Sequence, residues 1–404
     1  MDKNNGAIYD ARKLGKPKMI ILGVQHMFAM FGATILVPIL TGLDISTTLL
    51  MAGLGTLLFH CITKFKVPAF LGSSFAFLGG YAAIKAFSPN DPNSMLPYAC
   101  LGVACAGLIY FILAAVIKAV GVEKVMRFFP PVVTGPIIIA IGLGLAPSAV
   151  SNCTTNWFLA VVALAVIVVF NIWGKGMAKI IPIILGLLIS YGTGLVLYFI
   201  SQANPDLIQN VPWLFSGGAD ANGVYQPIFD FTSLNTICDN ISKGHIFGSE
   251  GLIGIPIHWD KTVFGGIDYS NGALIASSII AIVPIAFATM MEHIGDICAI
   301  SSTTGNNYIK DPGLHRTLVG DGLATTLASL FGGPANTTYG ENTGVLALTR
   351  VYDPRVRRIA AYFAVAVSFF PIVSVIIGSI PSCIIGGISF VLYGMISAIG
   401  IRNV

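Results

Sequence analysis

Long apolar segments alternate with short polar connections along most of the 404-residue chain. Each segment is close to the roughly 20 residues that an α-helix needs to cross the hydrocarbon core of a membrane. The pattern predicts about twelve crossing segments. They run over 19–40, 45–63, 67–86, 96–120, 126–148, 156–173, 178–201, 271–299, 314–332, 339–351, 357–379 and 382–401. The predicted fold class is therefore an all-α polytopic membrane protein.

Two of these segments are interrupted by small and polar residues. Residues 67–77 read VPAFLGSSFAF and residues 334–344 read PANTTYGENTG, so each begins with an extended stretch before a helical one. They are the third and the tenth segment, and broken segments at corresponding positions of two halves are typical of a transporter's binding site. The spacing predicts seven-helix repeats, which must be inverted in the membrane because seven is odd.

A short internal repeat agrees with this spacing. FPPVVTGPI at 129–137 opens the fifth segment, and IPSCIIGGI at 380–388 opens the twelfth, with Pro, Gly and Ile at the same offsets. The first copy continues for two further helices, whereas the second stops at Val404 shortly after the motif. By this symmetry we expect the chain to hold about 12 of 14 transmembrane segments.

Charged residues are few and unevenly distributed. Only 10% of the residues are charged and the mean hydropathy is +0.82, whereas a soluble protein carries about 25% charged residues. The 22 Lys and Arg residues fall on one side of the predicted membrane, except Lys85, Lys243 and Lys261. The positive-inside rule then predicts a cytoplasmic N-terminus and an extracytoplasmic segment at 202–268.

Three carboxylates interrupt this apolar background. Glu292 and Asp296 lie four residues apart in the eighth segment, and Glu341 lies in the broken tenth segment. Residues at this spacing share one face of a helix. A charged side chain at membrane depth costs about 2.5–3.5 kcal/mol even on insertion scales, and it is rarely retained for structure alone. The three residues therefore predict a polar binding site within the membrane.

Several sequence blocks resemble one family of transporters. Residues 341–350, ENTGVLALTR, fit the signature of Gln or Glu followed by Asn-x-Gly-x-x-x-x-Thr-Arg. This signature belongs to the nucleobase–ascorbate transporters, or nucleobase–cation symporter family 2. Further blocks, in the same order, resemble the bacterial uracil permeases of that family: QHMFAMFGAT at 25–34, GSSFAF at 72–77, EHIGD at 292–296, DPGLHR at 311–316 and NTTYGE at 336–341.

The resemblance implies an architecture and a cellular location. A core domain that binds the substrate is expected over 15–120 and 269–379, and a gate domain over 121–201 and 380–404, with 202–268 as an extracytoplasmic loop. The family moves its core against its gate in an elevator-like cycle. We expect a bacterial cytoplasmic (inner) membrane protein in contact with lipid, a possible homodimer, and no nucleic-acid partner.

The resemblance also implies the residues that bind the nucleobase. Glu292 and Glu341 would accept the ring N–H groups from opposite sides, while Phe75, Tyr339 and Gly340 would meet the carbonyl oxygens or the ring edge. Uracil fits this set, because carboxylates form charge-assisted bonds with its two N–H donors. Helix N-termini offer backbone N–H groups to its two carbonyl acceptors.

Coupling to protons is expected, with no other cofactor. Glu292, Asp296 and Glu341 are the candidates, since intramembrane carboxylates serve as proton carriers. The resemblance departs from the enteric uracil permeases at Asp296, where those proteins have histidine. Asn342 is expected to support the broken backbone. His26 is a supporting residue that is equally consistent with a buried structural histidine.

Other polar residues have plainer interpretations. His293 lies on a different helix face from Glu292 and is interpreted as structural. Asp321 opens or lines the ninth helix and is interpreted as a cap there rather than as a functional residue. Asp296 has a cap or a salt-bridge partner as its structural alternative. Four arginines are interpreted as positive-inside residues: Arg350, Arg355, Arg357 and Arg358.

The favoured function is proton-coupled uracil uptake. A xanthine or urate symporter of the same family is one alternative, and Glu at 341 favours the uracil branch because the purine branch commonly has Gln. From other classes, a non-transporting nucleobase receptor and a channel stay open. An enzyme is not expected, because no nucleophile–base pair, metal cluster or phosphate loop accompanies the carboxylates.

Overall fold

The computed structural model of this chain is mainly helical. It describes residues 7–126, 131–179, 181–220, 222–338, 345–347 and 349–403. The chain forms two compact units, each considered by itself below. Unit 1 comprises Met1–Thr134 and Ile255–Phe370, and unit 2 comprises Gly135–Gly254 and Pro371–Val404.

In chain order the main helices are α1 (Lys16–Thr41), α2 (Ile45–Ile62), α3 (Leu78–Lys85), α4 (Leu96–Val120), α5 (Val122–Met126), α6 (Pro131–Cys153), α7 (Trp157–Trp173), α8 (Pro182–Ala203), α9 (Asp206–Asn210), α10 (Pro212–Phe215), α11 (Thr232–Ser242), α12 (Val263–Gly266), α13 (Gly272–Ile282), α14 (Ile285–Thr304), α15 (Leu314–Leu330), α16 (Pro354–Ser368), α17 (Pro371–Gly378) and α18 (Ser382–Asn403). The strands are β1 (Leu71–Ser73), β2 (Ser216–Ala219), β3 (Tyr225–Pro227) and β4 (Asn336–Thr338). Short 3-10 turns lie at Ala11–Leu14, Pro92–Met95, Gly176–Lys179 and Trp259–Lys261, and a π-helical turn lies at Ile309–Gly313.

Three predicted segments differ from single straight helices. The third contains β1 and α3, as its interrupted sequence predicted. The eighth is divided into α13 and α14 next to Pro284, and the eleventh into α16 and α17 before Pro371. Proline lacks the N–H that would continue a helix and clashes with the preceding turn, so both divisions follow from the sequence.

By length and composition, a limited set of helices in the described part of the chain can span a membrane. Four qualify alone, and the division before Pro371 adds a fifth if both of its helices form one bent span. The four are Ile45–Ile62, Pro92–Val120, Pro182–Ala203 and Gly272–Thr304. A multi-pass helical fold is therefore confirmed. About twelve crossings, the inverted repeat and the core and gate boundaries stay predictions.

Glycines allow α4 and α15 to pack very closely in unit 1. A Cβ atom at Gly107 on α4 would lie 2.4 Å from Thr326 Oγ1 and 2.8 Å from the carbonyl oxygen of Gly322 on α15. A Cβ atom at Gly322 would in turn lie 2.6 Å from the Gly107 carbonyl oxygen. Small residues at such crossings let helix backbones approach in membrane proteins. This helix pair anchors α15, which carries part of the candidate site.

A segment before α1 docks onto the later part of unit 1. We call residues 7–15 the N-terminal strap. The Ile8 N–H donates to the Arg350 carbonyl at 2.8 Å, and the Tyr352 N–H donates back to the Ile8 carbonyl at 2.8 Å. The Tyr9 hydroxyl donates to the Thr304 carbonyl at 2.7 Å. The strap is therefore tied both to the end of α14 and to the chain beyond 349.

Charge also fixes the strap. The buried Ala11 N–H donates to Asp353 Oδ2 at 2.7 Å, and Arg355 Nη1 donates to Asp10 Oδ1 at 2.9 Å. Hydrogen bonds from Arg12 hold the pKa of Asp10 well below its usual value, with a smaller contribution from the charge of Arg355. A carboxylate with a lowered pKa stays ionised across the neutral range, so this pairing persists there.

Unit 2 has its own apolar core. Gly387 on α18 would place a Cβ atom 2.2 Å from the Ala160 carbonyl on α7, so the second copy of the repeat motif lies directly against that helix. Part of the first copy, residues 129–130, lies outside the described residues. Phe229 and Phe231 stack with ring centroids 5.2 Å apart at the end of α8. The predicted external segment 202–268 thus contains short helices and a hairpin, and its last residues, 255–268, belong to unit 1.

Adding one methyl group tests the α4–α15 crossing. We expect Gly107→Ala to destabilise unit 1 by about 1–3 kcal/mol, because the carbonyl of Gly322 is backbone and cannot rotate away. Thermal unfolding of the purified protein in detergent would measure the loss. Gly79→Ala on α3 is the matched control, since nothing lies within 4 Å of its Cβ position. A melting temperature for Gly107→Ala that equals the Gly79→Ala value would contradict the close crossing.

Candidate functional site

The two interrupted segments meet in a small antiparallel sheet inside unit 1. Strands β1 and β4 pair in the register Leu71 with Thr338, Gly72 with Thr337 and Ser73 with Asn336. The Ser74 N–H extends the ladder by donating to the carbonyl oxygen of Ala335, the residue just before β4, at 2.8 Å. All residues of both strands are buried. The sequence predicted two broken segments, and the structure joins them edge to edge.

Side chains from the surrounding helices satisfy the outer edges of this sheet. The Thr56 hydroxyl on α2 accepts from the Leu71 N–H at 2.9 Å and is 3.3 Å from the Leu71 carbonyl. The Asn336 side chain donates to the Met51 carbonyl at 2.8 Å, and the Thr325 hydroxyl donates to the Asn336 carbonyl. Gly55 makes room, since a Cβ atom there would lie 2.5 Å from Asn336 Nδ2. Buried backbone groups need such partners where water is absent.

Helix α14 brings its polar face to β4. The Thr338 hydroxyl donates to Asp296 Oδ2 at 3.1 Å and lies 3.2 Å from His293 Nδ1. His293 Nδ1 is also 3.4 Å from Asp321 Oδ2 on α15. Because an ionised carboxylate only accepts, these contacts are satisfied when Nδ1 carries the histidine proton. We call Asp296, Thr338, His293 and Asp321 the polar relay; Thr337 adds a contact of 3.4 Å to Asp321 Oδ2.

The interpretation of Asp321 as a helix cap was wrong. Asp321 lines α15 in its interior, with a completely buried side chain. His293 is also completely buried, as a structural histidine would be, and it contacts both Asp321 and Thr338. The signal for Asp321 was present in the sequence, since a carboxylate in a predicted span is expected to be functional. The role of Thr338 could not be read from the sequence, because it depends on the register of β4.

The structure describes some of the predicted site residues and not others. Glu292 lies one turn before Asp296 on α14, where it is exposed and Asp296 is half-buried. Phe75 lies between β1 and α3 and packs against a cluster that includes Met27 and Phe70. Four further predicted site residues lie outside the described residues: Tyr339, Gly340, Glu341 and Asn342.

A second buried polar contact joins α1 and α16. Arg357 is 1% exposed and His26 is 0% exposed. Arg357 Nη1 donates to His26 Nδ1, so the proton of a neutral His26 lies on Nε2. The interpretation of Arg357 as simply a positive-inside residue missed this buried contact, which forms because α16 begins before Arg357 and turns it inward. Among the described residues, His26 Nε2 has no hydrogen-bond partner.

The residues that the structure describes contain no group of three or more His, Cys, Asp or Glu placed to hold a metal ion. Each of the two carboxylates in the polar relay contacts another side chain, Asp296 that of Thr338 and Asp321 that of His293. The arrangement can accept hydrogen bonds and pass protons between adjacent oxygen and nitrogen atoms.

Sequence relationships define the class of protein. A model of a family described as a permease family matches residues 17–404. A uracil permease of Bacillus caldolyticus is 38% identical over 394 residues, which cover 95% of this chain and 78% of the relative. A uracil permease of Bacillus subtilis (strain 168) is 37% identical over 396 residues, covering 95% and 79%. The putative pyrimidine permease RutG of Escherichia coli (strain K12) is 35% identical over 401 residues, covering 98% and 80%.

Two solved structures have a similar fold. The transmembrane domain of a cyanobacterium bicarbonate transporter, BicA, has a TM-score of 0.62 at 13% identity and covers 98% of this chain and 92% of its own. The structure of SLC26A9 has a TM-score of 0.53 at 11% identity, covering 96% and 59%. At these identities the likeness concerns the fold alone. The molecule is a transmembrane permease and not an enzyme. It belongs to the nucleobase–ascorbate transporter family, which confirms the resemblance seen in its motifs.

The contact between His293 and Asp321 can be tested by a double-mutant cycle. Replacing His293 with Leu leaves the buried Asp321 carboxylate with Thr337 as its one side-chain partner among the described residues. Removing one partner of a buried pair costs about 3–5 kcal/mol. Replacing both residues with Leu should recover part of that loss. Thermal unfolding in detergent would measure each variant, with Asp239→Asn on the exposed face of α11 as a control. Strictly additive losses would mean that the two side chains are not coupled.

Proposed function

We propose that this permease carries uracil together with a proton across a bacterial cytoplasmic membrane. The single observation that carries the proposal is the hydroxyl of Thr338. It belongs to the interrupted segment that continues to Glu341, and it contacts Asp296 and His293 on the helix that carries Glu292. The two predicted carboxylate elements are thus joined at one point by hydrogen bonds. The uracil permeases among the relatives support the substrate.

The chemistry of uracil suits these elements. The ring is neutral and planar, with two N–H donors and two carbonyl acceptors. Glu292 accepts one N–H group and Glu341 accepts the other, in charge-assisted bonds that are about twice as strong as neutral ones. The backbones of Phe75, Tyr339 and Gly340 meet the carbonyl oxygens or the edge of the uracil ring.

The polar relay is the proposed route of the coupled proton. Asp296 stands next to Glu292, and Thr338 and His293 continue from it to the completely buried Asp321. Within the described residues, Asp321 Oδ1 and His293 Nε2 have no hydrogen-bond partner. A buried polar atom without a partner calls for a functional reason, and taking up or releasing a proton is one. Glu292, Asp296 and Glu341 stay the candidates for the residue that carries it.

Alternating access is proposed to move one compact unit against the other. Unit 1 holds both interrupted segments and the polar relay, while unit 2 has a separate apolar core. An element that keeps its internal contacts can move as a rigid body and carry its bound ligand with it. The expected core and gate roles, the cytoplasmic N-terminus and the homodimer are part of this proposal.

Uptake into proteoliposomes tests the substrate and the role of Glu292. We expect saturable uptake of radiolabelled uracil under an inward proton gradient. Glu292→Gln should lower it about 10- to 100-fold, since a hydrogen bond to a charged group contributes about 1.5–3 kcal/mol. Glu123→Gln on the short helix α5, which is exposed, is the matched control.

Several outcomes of that assay would overturn the proposal in distinguishable ways. Saturable uptake of radiolabelled xanthine or urate that unlabelled uracil did not inhibit would move the substrate to the purine branch. Uracil binding without flux would support a receptor, and flux that neither saturates nor depends on the gradient would support a channel. If uracil neither bound nor crossed, the uracil assignment would be wrong.

Coupling can be separated from binding at Asp296. We expect Asp296→Asn to keep uracil exchange between the two sides but to lose accumulation driven by the proton gradient, because an amide cannot carry the proton. Counterflow and gradient-driven uptake, measured on the same vesicles, compare the two activities. Thr338→Ser, which keeps the hydroxyl, should behave as the parent protein. Thr338→Val should lose part of the gradient-driven accumulation, a smaller loss than in Asp296→Asn. Equal loss of both activities in Asp296→Asn would instead assign Asp296 to substrate binding.

A further inference from the structure

A cavity of about 360 Å³ opens between the N-terminal strap and helix α1. Its size falls within the roughly 300–1,000 Å³ of ordinary ligand sites. Its lining is apolar except for one hydroxyl and one ammonium group. The lining residues are Ile8, Leu14, Lys18, Ile21, Leu22, Thr349 and Val351. The cavity is unrelated to the polar relay, because it shares no residue with it.

One lysine lines this cavity and two more are close to it in sequence. Lys18 is a lining residue, and Lys13 and Lys16 precede it along the same stretch of chain. All three side chains are exposed. In the part of the chain that the structure describes, none of the three takes part in an ion pair, whereas the neighbouring Arg12 is neutralised by Asp10. The strap and the first turn of α1 therefore carry unneutralised ammonium groups, and that of Lys18 borders the apolar space.

The outer face of α1 continues this arrangement. Ile20 is 46% exposed and Ile21 is 64% exposed, and both follow directly after the lysines in sequence. In a transmembrane permease, exposed aliphatic side chains at a helix end face lipid, while lysines reach toward the headgroups. The cavity thus lies where the acyl and headgroup regions of a bilayer meet.

We propose that this cavity binds an anionic phospholipid. One acyl chain lies between the strap and α1, against Leu14 and Leu22, and the phosphate is held by Lys18. Basic pockets at the membrane surface recognise anionic headgroups in this way. The proposal depends on the chain spanning a membrane, and it does not depend on which nucleobase the permease carries.

Other ligands suit the cavity less well. A free phosphate would use the lysine but leave the aliphatic walls without a partner. A nucleobase would need several hydrogen-bonding groups, and the lining offers only the Thr349 hydroxyl and the Lys18 ammonium. A zwitterionic lipid would fill the walls but would gain little from three unneutralised lysines. An anionic lipid uses both features at once.

The position of the cavity gives the lipid a structural effect. Ile8 and Val351 form two of its walls, and these two residues are also the partners of the backbone bridge that docks the strap. A ligand that contacts both partners stabilises the docked arrangement over the undocked one. Occupancy would therefore hold the strap against the chain that follows the predicted substrate site.

The test uses the full chain, purified in detergent and freed of lipid. Native mass spectrometry would measure retention of phosphatidylglycerol and of phosphatidylcholine with identical acyl chains. We expect preferential retention of phosphatidylglycerol, and a loss of about fivefold in its apparent affinity in Lys18→Gln, the effect of one lysine at an anionic surface. Lys18→Arg should retain it. Lys243→Gln, which removes an exposed lysine in unit 2, is the matched control.

A second variant tests the acyl-chain half of the site. Leu22→Trp should fill the cavity and lower phosphatidylglycerol retention while all lysines stay in place. Equal retention of the two lipids, or an unchanged preference in Lys18→Gln, would overturn the proposal. Glycerol 3-phosphate that displaced the lipid at equal concentration would also overturn it, since the site would then be a phosphate site. Because the assay contains no nucleobase, its failure leaves the proposed transport function untouched.

Discussion

Pairing of the buried backbone in the two interrupted segments is the constraint on which unit 1 depends. An extended chain inside a membrane protein exposes N–H and C=O groups that no water can satisfy, and each would cost several kcal/mol if left alone. Here β1 and β4 satisfy one another over three residue pairs. Thr56 and Thr325 complete the outer edges from the neighbouring helices. The same pairing fixes which side chains of β4 face α14 and α15.

Buried charge in unit 1 is arranged by the same helices. Asp321 and His293 are buried next to two threonines from β4, and Arg357 donates to His26 between α1 and α16. Neither contact is expected to add much to the stability of unit 1, because the free-energy cost of removing charges from water usually offsets their mutual attraction. Buried polar groups of this kind are expensive in membranes and therefore mark function or register.

The sequence predicted the helical membrane fold and the two interrupted segments for clear physical reasons. Hydrophobic length and the positions of proline, glycine and small polar residues are local properties, and they marked β1 and β4 before any contact was known. Glu292 and Asp296 were found because a carboxylate stands out in an apolar helix. The contacts of Thr338, His293 and Asp321 could not be predicted, since they depend on how β4 lies against two helices.

The buried contact of Arg357 could not be predicted for a similar reason. The positive-inside rule counts charges near the ends of spans, but it does not say which way a given helix turns its first residues. α16 begins at Pro354, and Arg357 lies in its first turn, where it contacts a side chain from α1. Arg355, two residues earlier, is partly exposed and holds the strap. Two arginines only two residues apart thus have different surroundings.

Docking of the N-terminal strap has a consequence for the order in which the chain folds. Ala11 and its partner Asp353 are 342 residues apart in sequence, and residues 135–254 of unit 2 are made between the two parts of unit 1. During synthesis the strap must therefore wait, undocked, until most of the protein has left the ribosome. Contacts this distant in sequence form late and slowly. Docking of the strap is then an event of late assembly, because its partners at 350–355 are among the last parts of unit 1 to be made.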